Sequence, residues 1–404
     1  MSITTIPTQN WLLPDGVADI LFSDAQKQES LRDALLFVLT AHGFKLVAPP
    51  LIEYTETLLA YADEDLKRQT FKLIDQLNGR LMGLRADITP QITRIDAQHG
   101  KGVSRYCYVG TVVKTLPTGL FGLRTPMQLG AEIFGVQSVG AELALIDLLG
   151  SLFDEIGMDL QKLHVDVGHV GIFARLCELH GTSKDDIERL MTLYTKKAMP
   201  ELGELCQSLT GGADFLVLAK HTFDGSSSVP HADNLLNKLS QTAQTDPDII
   251  HACQEIATLA RHIQGLGMTV SADVAQLSGY HYHTGLVFNV YLDRTDTTQM
   301  QALVSGGRFK AKDDRHATGF SMDINRLFDF VELQADTLIV VDYDDLTTAD
   351  GERLADLNQQ IKTLQDEGCI VIKPLTADDR PDEIDGVLHF DADAGEWAVR
   401  LSGD

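Results

Sequence analysis

Residues Gly110 to Gly135 read GTVVKTLPTGLFGLRTPMQLGAEIFG. Two runs with strand character, Tyr106–Lys114 and Met127–Phe134, enclose a long loop rich in Gly and Pro, which predicts an antiparallel hairpin. Side chains four apart on a strand point to the same face, so Gln128 and Glu132 form a pair. A buried ammonium group needs acceptors of this kind, because a cation removed from water must be paired. By themselves, however, two such residues are more ordinarily a polar stripe on an exposed strand.

Outward from the hairpin, Ser23 to Gln26 has a capping-box pattern, opening a helix whose apolar face is Leu31, Leu35, Val38 and Leu39. Gly43 suits its C-terminal cap, and Pro49 and Pro50 stop the strand Phe44–Val47 that follows. Arg80–Leu84 predicts a short strand running into LRADITP (84–90) and an amphipathic helix. Glu142–Ile156 predicts a helix and Leu163–Val167 a strand. Residues 182–264 carry helical periodicity with a break at Gly225–Ser228, as expected of a helical insertion within one sheet. Val270–Asp273, Tyr280–Leu292 and Ala302–Ser305 return to strand character.

A second domain is expected near Asp336. It opens on the strand Thr337–Val341, followed by a helix over 350–367 with Leu354, Leu357, Ile361 and Leu364 on one face. The segments 369–373, 386–390 and 396–401 complete a small α/β unit.

Composition narrows the function. The chain has 404 residues, 44% apolar and 23% charged, as in an ordinary globular protein of two or three domains. Its apolar runs are too short to cross a bilayer, and MSITTIPTQN lacks the basic and apolar regions of a signal peptide, so no membrane partner is expected. Cys107, Cys177, Cys206, Cys253 and Cys369 are widely spaced, which suits a reducing cytoplasm. With 33 basic and 58 acidic side chains the formal charge is −25, unfavourable for nucleic acid. The cluster Arg308, Lys310, Lys312 and Arg315, diluted by Asp313 and Asp314, is expected to be a solvated loop. No G-x-x-x-x-G-K-[ST], G-x-S-x-G or H-E-x-x-H occurs.

The hairpin resembles motif 2 of the class II aminoacyl-tRNA synthetases, and the helix–strand–proline order before it resembles motif 1, their dimer-forming element. SGYHYHTGLVF (278–288) and SGGRF (305–309) resemble the histidine-specific loops of histidyl-tRNA synthetase, and GFSMDINRL (319–327) matches the frame of motif 3. The resemblance covers roughly residues 10–330. It implies an α+β core of antiparallel sheet flanked by helices over 1–335, with a truncated α/β domain over 336–404. It also implies a histidine-binding site formed by Asp87, Thr89, Gln128, Glu132, Tyr282 and His283, with Arg85, Phe309 and Arg326 as further lining.

Departures from the synthetase pattern bear on activity. Motif 2 supplies F-R-x-E against ATP, whereas this chain has Val113, Lys114, Thr115 and Leu116. Lysine keeps a charge without the bidentate fork, and leucine has no carboxylate. The histidine-specific arginine falls on Ser278. Arg124 and Arg326 remain, but losing two groups that hold charge in the transition state costs several kcal/mol of barrier. His281 and His283 share a strand face, yet spacing shows no third ligand, so neither a metal nor another cofactor is expected.

LRADITPQ (84–91) and YHYHTG (280–285) resemble, without gaps, segments of the regulatory subunits of ATP phosphoribosyltransferase found beside short-form catalytic subunits. That resemblance implies a non-catalytic chain, a homodimeric core within a hetero-octamer, activation of the catalytic subunit and feedback inhibition by histidine. An amino-acid-adenylating enzyme and a tRNA-binding regulator stand as alternatives. Histidine acting at a subunit interface also remains open.

Overall fold

The computed structural model describes residues 12–60, 62, 64–117, 122–223, 235–272, 274, 282–292, 302–330, 337–381 and 383–401. Ser278, His281, the break at Gly225–Ser228 and Asp336 lie outside the described residues. The chain divides into two compact units, Met1–Val331 and Glu332–Asp404.

In the first unit the strands are β1 (Lys45–Leu46), β2 (Ile52–Tyr54), β3 (Lys72–Ile74), β4 (Leu81–Leu84), β5 (Ser104–Thr111), β6 (Met127–Phe134), β7 (Leu163–His169), β8 (Thr269–Ala272), β9 (His283–Leu292), β10 (Val304–Lys310) and β11 (His316–Asp323). Eight of them form one sheet in the order β1-β5-β6-β11-β10-β9-β7-β8. Its six central strands are antiparallel, and the edge strands β1 and β8 pair in parallel. β2, β4 and β3 make a separate small sheet.

Side-chain alternation gives the large sheet two different faces. Leu129, Ala131 and Ile133 of β6, with Phe288 and Val290 of β9, face a helical layer. This layer includes Phe22–Ala41, Gly140–Glu155, Val170–His180 and Pro247–Gly265. The opposite face carries Tyr106, Tyr108, Phe134 and Phe309, packed against Ile88 and Ile92 at the start of helix Thr89–His99. The second face holds the site.

Several sequence expectations are corrected. The first helix starts at Phe22, and its N-cap Leu21 makes no side-chain hydrogen bond, so Ser23 to Gln26 lies inside the first turn. Its buried residues are nonetheless Leu31, Leu35, Val38 and Leu39, and Gly43 follows with φ of 81°. The described residues of the 182–264 stretch are largely helical, but its last helix, Pro247–Gly265, is part of the core. It buries Ile256, Leu259, Ala260 and Ile263 and leads into β8, closing the long crossover that the parallel β7–β8 pair requires. Arg308 and Arg315 are not in a solvated loop. β10 runs on to Lys310, which turns Arg308 into the helical layer, and Arg315 Nε donates to Asp96 Oδ2 at 2.6 Å.

The second unit has β12 (Leu338–Val341), β13 (Ile370–Ile372), β14 (Gly386–Asp391) and β15 (Glu396–Leu401) in the order β13-β12-β14-β15. Helix Gly351–Asp366 buries Leu357, Ile361 and Leu364 on it, while Leu354, expected on that face, is exposed. Among the described residues no helix is long and apolar enough to cross a membrane.

Candidate functional site

A cavity of about 410 Å³ opens on the second face of the large sheet. Asp87, Thr89, Gln128, Glu132, Tyr282, His283 and Phe309 all line it, drawn from four separate stretches of chain. Arg85 does not. Its guanidinium donates to the carbonyls of Thr111 and Pro49 at 3.0 and 2.7 Å, tying the turn before helix Thr89–His99 to β5. Arg326 is also elsewhere, donating to the Ala302 carbonyl at 2.7 Å. It lines an adjoining cleft of about 330 Å³ that shares Lys114, Gln128, Ser305 and Ser321 with the cavity.

The polar end of the cavity is a connected network. Gln128 accepts from the Ile88 amide at 2.9 Å and donates to Asp87 Oδ1 at 3.0 Å, while Asp87 also accepts from the Thr89 amide. The amide bond to Gln128 fixes which end of that side chain is oxygen. Thr89 Oγ1 donates to Glu132 Oε1 at 2.9 Å and lies 3.1 Å from the Tyr108 hydroxyl.

Glu132 is 1% exposed, and its Oε2 has no hydrogen-bond partner among the described residues. A Cβ on Gly319, the β11 residue paired with it, would overlap that oxygen, so only glycine leaves room for the carboxylate. Burial, with Asp87 adding repulsion against the hydrogen bonds from Thr89 and Tyr108, pushes the Glu132 carboxyl up to about 8. A buried acid with an orphan oxygen suits a cation that none of the described residues supplies.

The other end of the cavity is aromatic. Tyr282 stacks on Phe309 with centroids 4.7 Å apart, and the His283 ring meets Tyr282 edge-on at 5.2 Å. His283 Nδ1 donates to the Arg308 carbonyl at 3.3 Å, which in the neutral ring makes Nε2 the acceptor. Carboxylates at one end and an aromatic, hydrogen-bonding pocket at the other suit a small amino acid with a planar polar side chain.

The groups expected for nucleotide chemistry are differently disposed. Leu116 is 65% exposed. Arg124 donates to the carbonyls of Lys114 and Asp15 at 3.0 and 3.2 Å, an anchoring role in the hairpin. Lys114 borders both clefts.

Sequence reasoning did not nominate Leu66 and Gln69 of the short helix Glu64–Gln69, nor Ser305 and Asn289, which also line the cavity. Ser305 could have been found from its two-residue spacing to Gly307 and Phe309 on β10. The short helix carries no local signal, since only its packing brings it there.

A family model for histidyl-tRNA synthetase matches residues 16–327. The chain is 51% identical over 380 residues to an ATP phosphoribosyltransferase regulatory subunit of Psychrobacter arcticus, covering 92% of this chain and 95% of that one. The chain belongs to the ATP phosphoribosyltransferase regulatory subunits. In fold it is similar to an ATP phosphoribosyltransferase regulatory subunit/histidyl-tRNA synthetase from Bacillus halodurans, with a TM-score of 0.73 at 21% identity over 90% of this chain and 92% of that one. A chain of an ATP phosphoribosyl transferase complex from Thermotoga maritima aligns with a TM-score of 0.56 at 18% identity, over 74% of this chain and 97% of that one. The regulatory subunit thus keeps a synthetase fold while its motif 2 has Lys114 and Leu116 where the enzyme pattern has arginine and glutamate.

Glu132 gives the subunit a proton linkage. Its folded value, about 8, lies above the ordinary 4.5, so the folded chain holds a proton that the unfolded chain releases in that window. The contribution of this group to stability therefore falls as pH rises from about 4.5 through 8. A ligand ammonium seated against Glu132 would favour the ionised form, so binding at pH 7 is expected to release about 1 proton per site, declining as the pH passes 8. Calorimetric titration of histidine in buffers of different ionisation enthalpy reads this number directly. Buffer-independent heats would contradict it.

Proposed function

We propose that this non-catalytic subunit binds free histidine in the Glu132 cavity, activates a short-form catalytic subunit of ATP phosphoribosyltransferase, and confers feedback inhibition by histidine on the first step of histidine biosynthesis. The observation that carries the ligand assignment is Glu132 itself, a buried carboxyl with an orphan oxygen facing a cavity whose far end is aromatic. The α-ammonium of histidine pairs with Glu132 and Asp87, and its imidazole lies toward Tyr282, His283 and Phe309. Replacement of the motif 2 arginine and glutamate by Lys114 and Leu116 leaves such a ligand bound without being activated.

The partner assignment draws on the relatives' name and on the Thermotoga maritima complex. We place the assembly in the cytoplasm as a hetero-octamer built on a homodimer. Leu46, Leu51 and Ile52, in the segment resembling motif 1, are exposed apolar side chains, as is Phe37 on the preceding helix. Such a surface is suited to burial against a second copy. A formal charge of −25 disfavours tRNA as the partner.

The deciding experiment follows the condensation of ATP with phosphoribosyl pyrophosphate by the short catalytic subunit, with and without this chain, while histidine is titrated. Activation by the chain, with inhibition that disappears in Glu132→Gln, is the expected result. Activation with unaltered inhibition in the variant would remove histidine from this cavity. A chain without effect on rate or histidine sensitivity would overturn the assignment.

A further inference from the structure

Behind the pocket, on the helical side of the sheet, Arg308 is buried at 7% exposure. Its Nε and Nη2 donate to Glu142 Oε1 and Oε2 at 2.7 and 3.0 Å, and its Nη1 and Nη2 donate to Glu255 Oε2 and Oε1 at 3.2 and 2.8 Å. Glu142 comes from helix Gly140–Glu155 and Glu255 from helix Pro247–Gly265. Around them, Thr318 Oγ1 donates to Glu142 at 3.3 Å and His169 Nε2 lies 3.1 Å from Glu255. A buried ion cluster is poor evidence of stability in itself, because apolar side chains of similar volume pack such a layer equally well. Its position supplies a reason for it.

Arg308 stands between Gly307 and Phe309, both of which line the cavity. Its carbonyl accepts the bond from His283. Opposite it the β9–β10 ladder loses register. Gly307 pairs with Val287 and Phe309 with His283, so Thr284, Gly285 and Leu286 face Arg308 alone. A Cβ on Gly285 would come within 2.9 Å of Arg308 Cδ, so the bulge closes over the arginine stem only because that residue is glycine.

We propose that Arg308 is the positioning residue of this pocket. By clamping β10 to Glu142 and Glu255 it holds the β9 bulge, and so sets His283 and Tyr282 against the ligand. The consequence for affinity rests on free histidine binding here, whereas the consequence for His283 does not.

The test uses the full chain, labelled with ¹⁵N. The imidazole signal of His283 is assigned with His283→Asn, and histidine affinity is measured by calorimetry. Arg308→Lys keeps a charge but, with three N–H groups and no planar fork, cannot make the four bonds that Arg308 makes to the two carboxylates. Thr318→Val, on the β11 residue paired with Arg308, removes one bond to Glu142 while leaving Arg308 itself and the cavity-lining residues unchanged, and serves if the lysine variant does not fold. Expected for Arg308→Lys are a His283 signal shifted from the Nδ1–H tautomer in the unliganded protein and histidine binding weakened roughly tenfold, as for one lost charge-assisted bond. Thr318→Val is expected to change both in the same direction by a smaller amount. Wild-type signal and affinity in folded variants that merely melt earlier would overturn the proposal. Should the wild type bind no histidine, the ligand assignment fails, and the unliganded His283 signal still decides the role of Arg308.

Discussion

Replacing Glu132 by glutamine is expected to weaken histidine binding by roughly 100-fold or more, with little loss of fold. Truncating one partner of a buried charge pair costs about 2–5 kcal/mol, largely because the other charge is left uncompensated. Here the other charge is the ligand's ammonium, so the loss appears in affinity rather than in stability. The unliganded protein gains on the alkaline side. Wild-type Glu132 titrates near 8 and ionises unpaired above it, whereas glutamine stays neutral, so the variant's stability relative to wild type rises as pH climbs from about 4.5 through 8. Histidine titrations and thermal melts over pH 5–9 check both halves. An unchanged affinity would mean that the ammonium does not sit against Glu132. Asp87→Asn is the milder companion, because Asp87 also accepts from Gln128 and Thr89 and an amide keeps one acceptor.

The largest effect on stability is expected at Arg308. Arg308→Met leaves Glu142 and Glu255 buried without their common cation, a loss of about 3–5 kcal/mol by analogy with other broken buried pairs. Replacing all three charges with apolar side chains is expected to recover most of it, since the desolvation of the whole cluster disappears with the cluster. The pH dependence has a definite sign. Burial alone would raise Glu255, but hydrogen bonds from His169 and Arg308 hold it down to about 2. Its contribution is present above the ordinary 4.5 and is lost as pH falls from there through 2. Without Arg308 less of that contribution exists, so the gap between wild type and variant narrows on acidification through that window. Urea unfolding at pH 7 and pH 3 measures it, and a gap of constant size would exclude Glu255 as the source.

Much of the site was legible because many of its cavity-lining residues lie on strands, where a period of two carries them to one face. Gln128 with Glu132 needed no knowledge of the fold to be paired. Asp87 and Thr89 came from the family pattern, and their contact with Gln128 and Glu132 spans forty residues or more of chain. What failed had a common cause. Arg85, Arg308 and Arg326 are long cations that their sequence neighbours do not orient. Each found its carbonyl or carboxylate partners on elements distant in sequence or on the far side of the sheet.

Local pattern and family motif therefore determined the α+β core, the small C-terminal α/β unit, the hairpin with Gln128 and Glu132 on one face and the loss of the synthetase's charge pair, all of which depend on residue type at fixed spacing. Tertiary structure alone decided that Glu132 is buried with an oxygen that no described residue bonds, that Arg308 is ion-paired to Glu142 and Glu255 behind the pocket, and that helix Pro247–Gly265 belongs to the core. These depend on which surfaces exclude water, and desolvation is a property of the packed whole that no single segment carries.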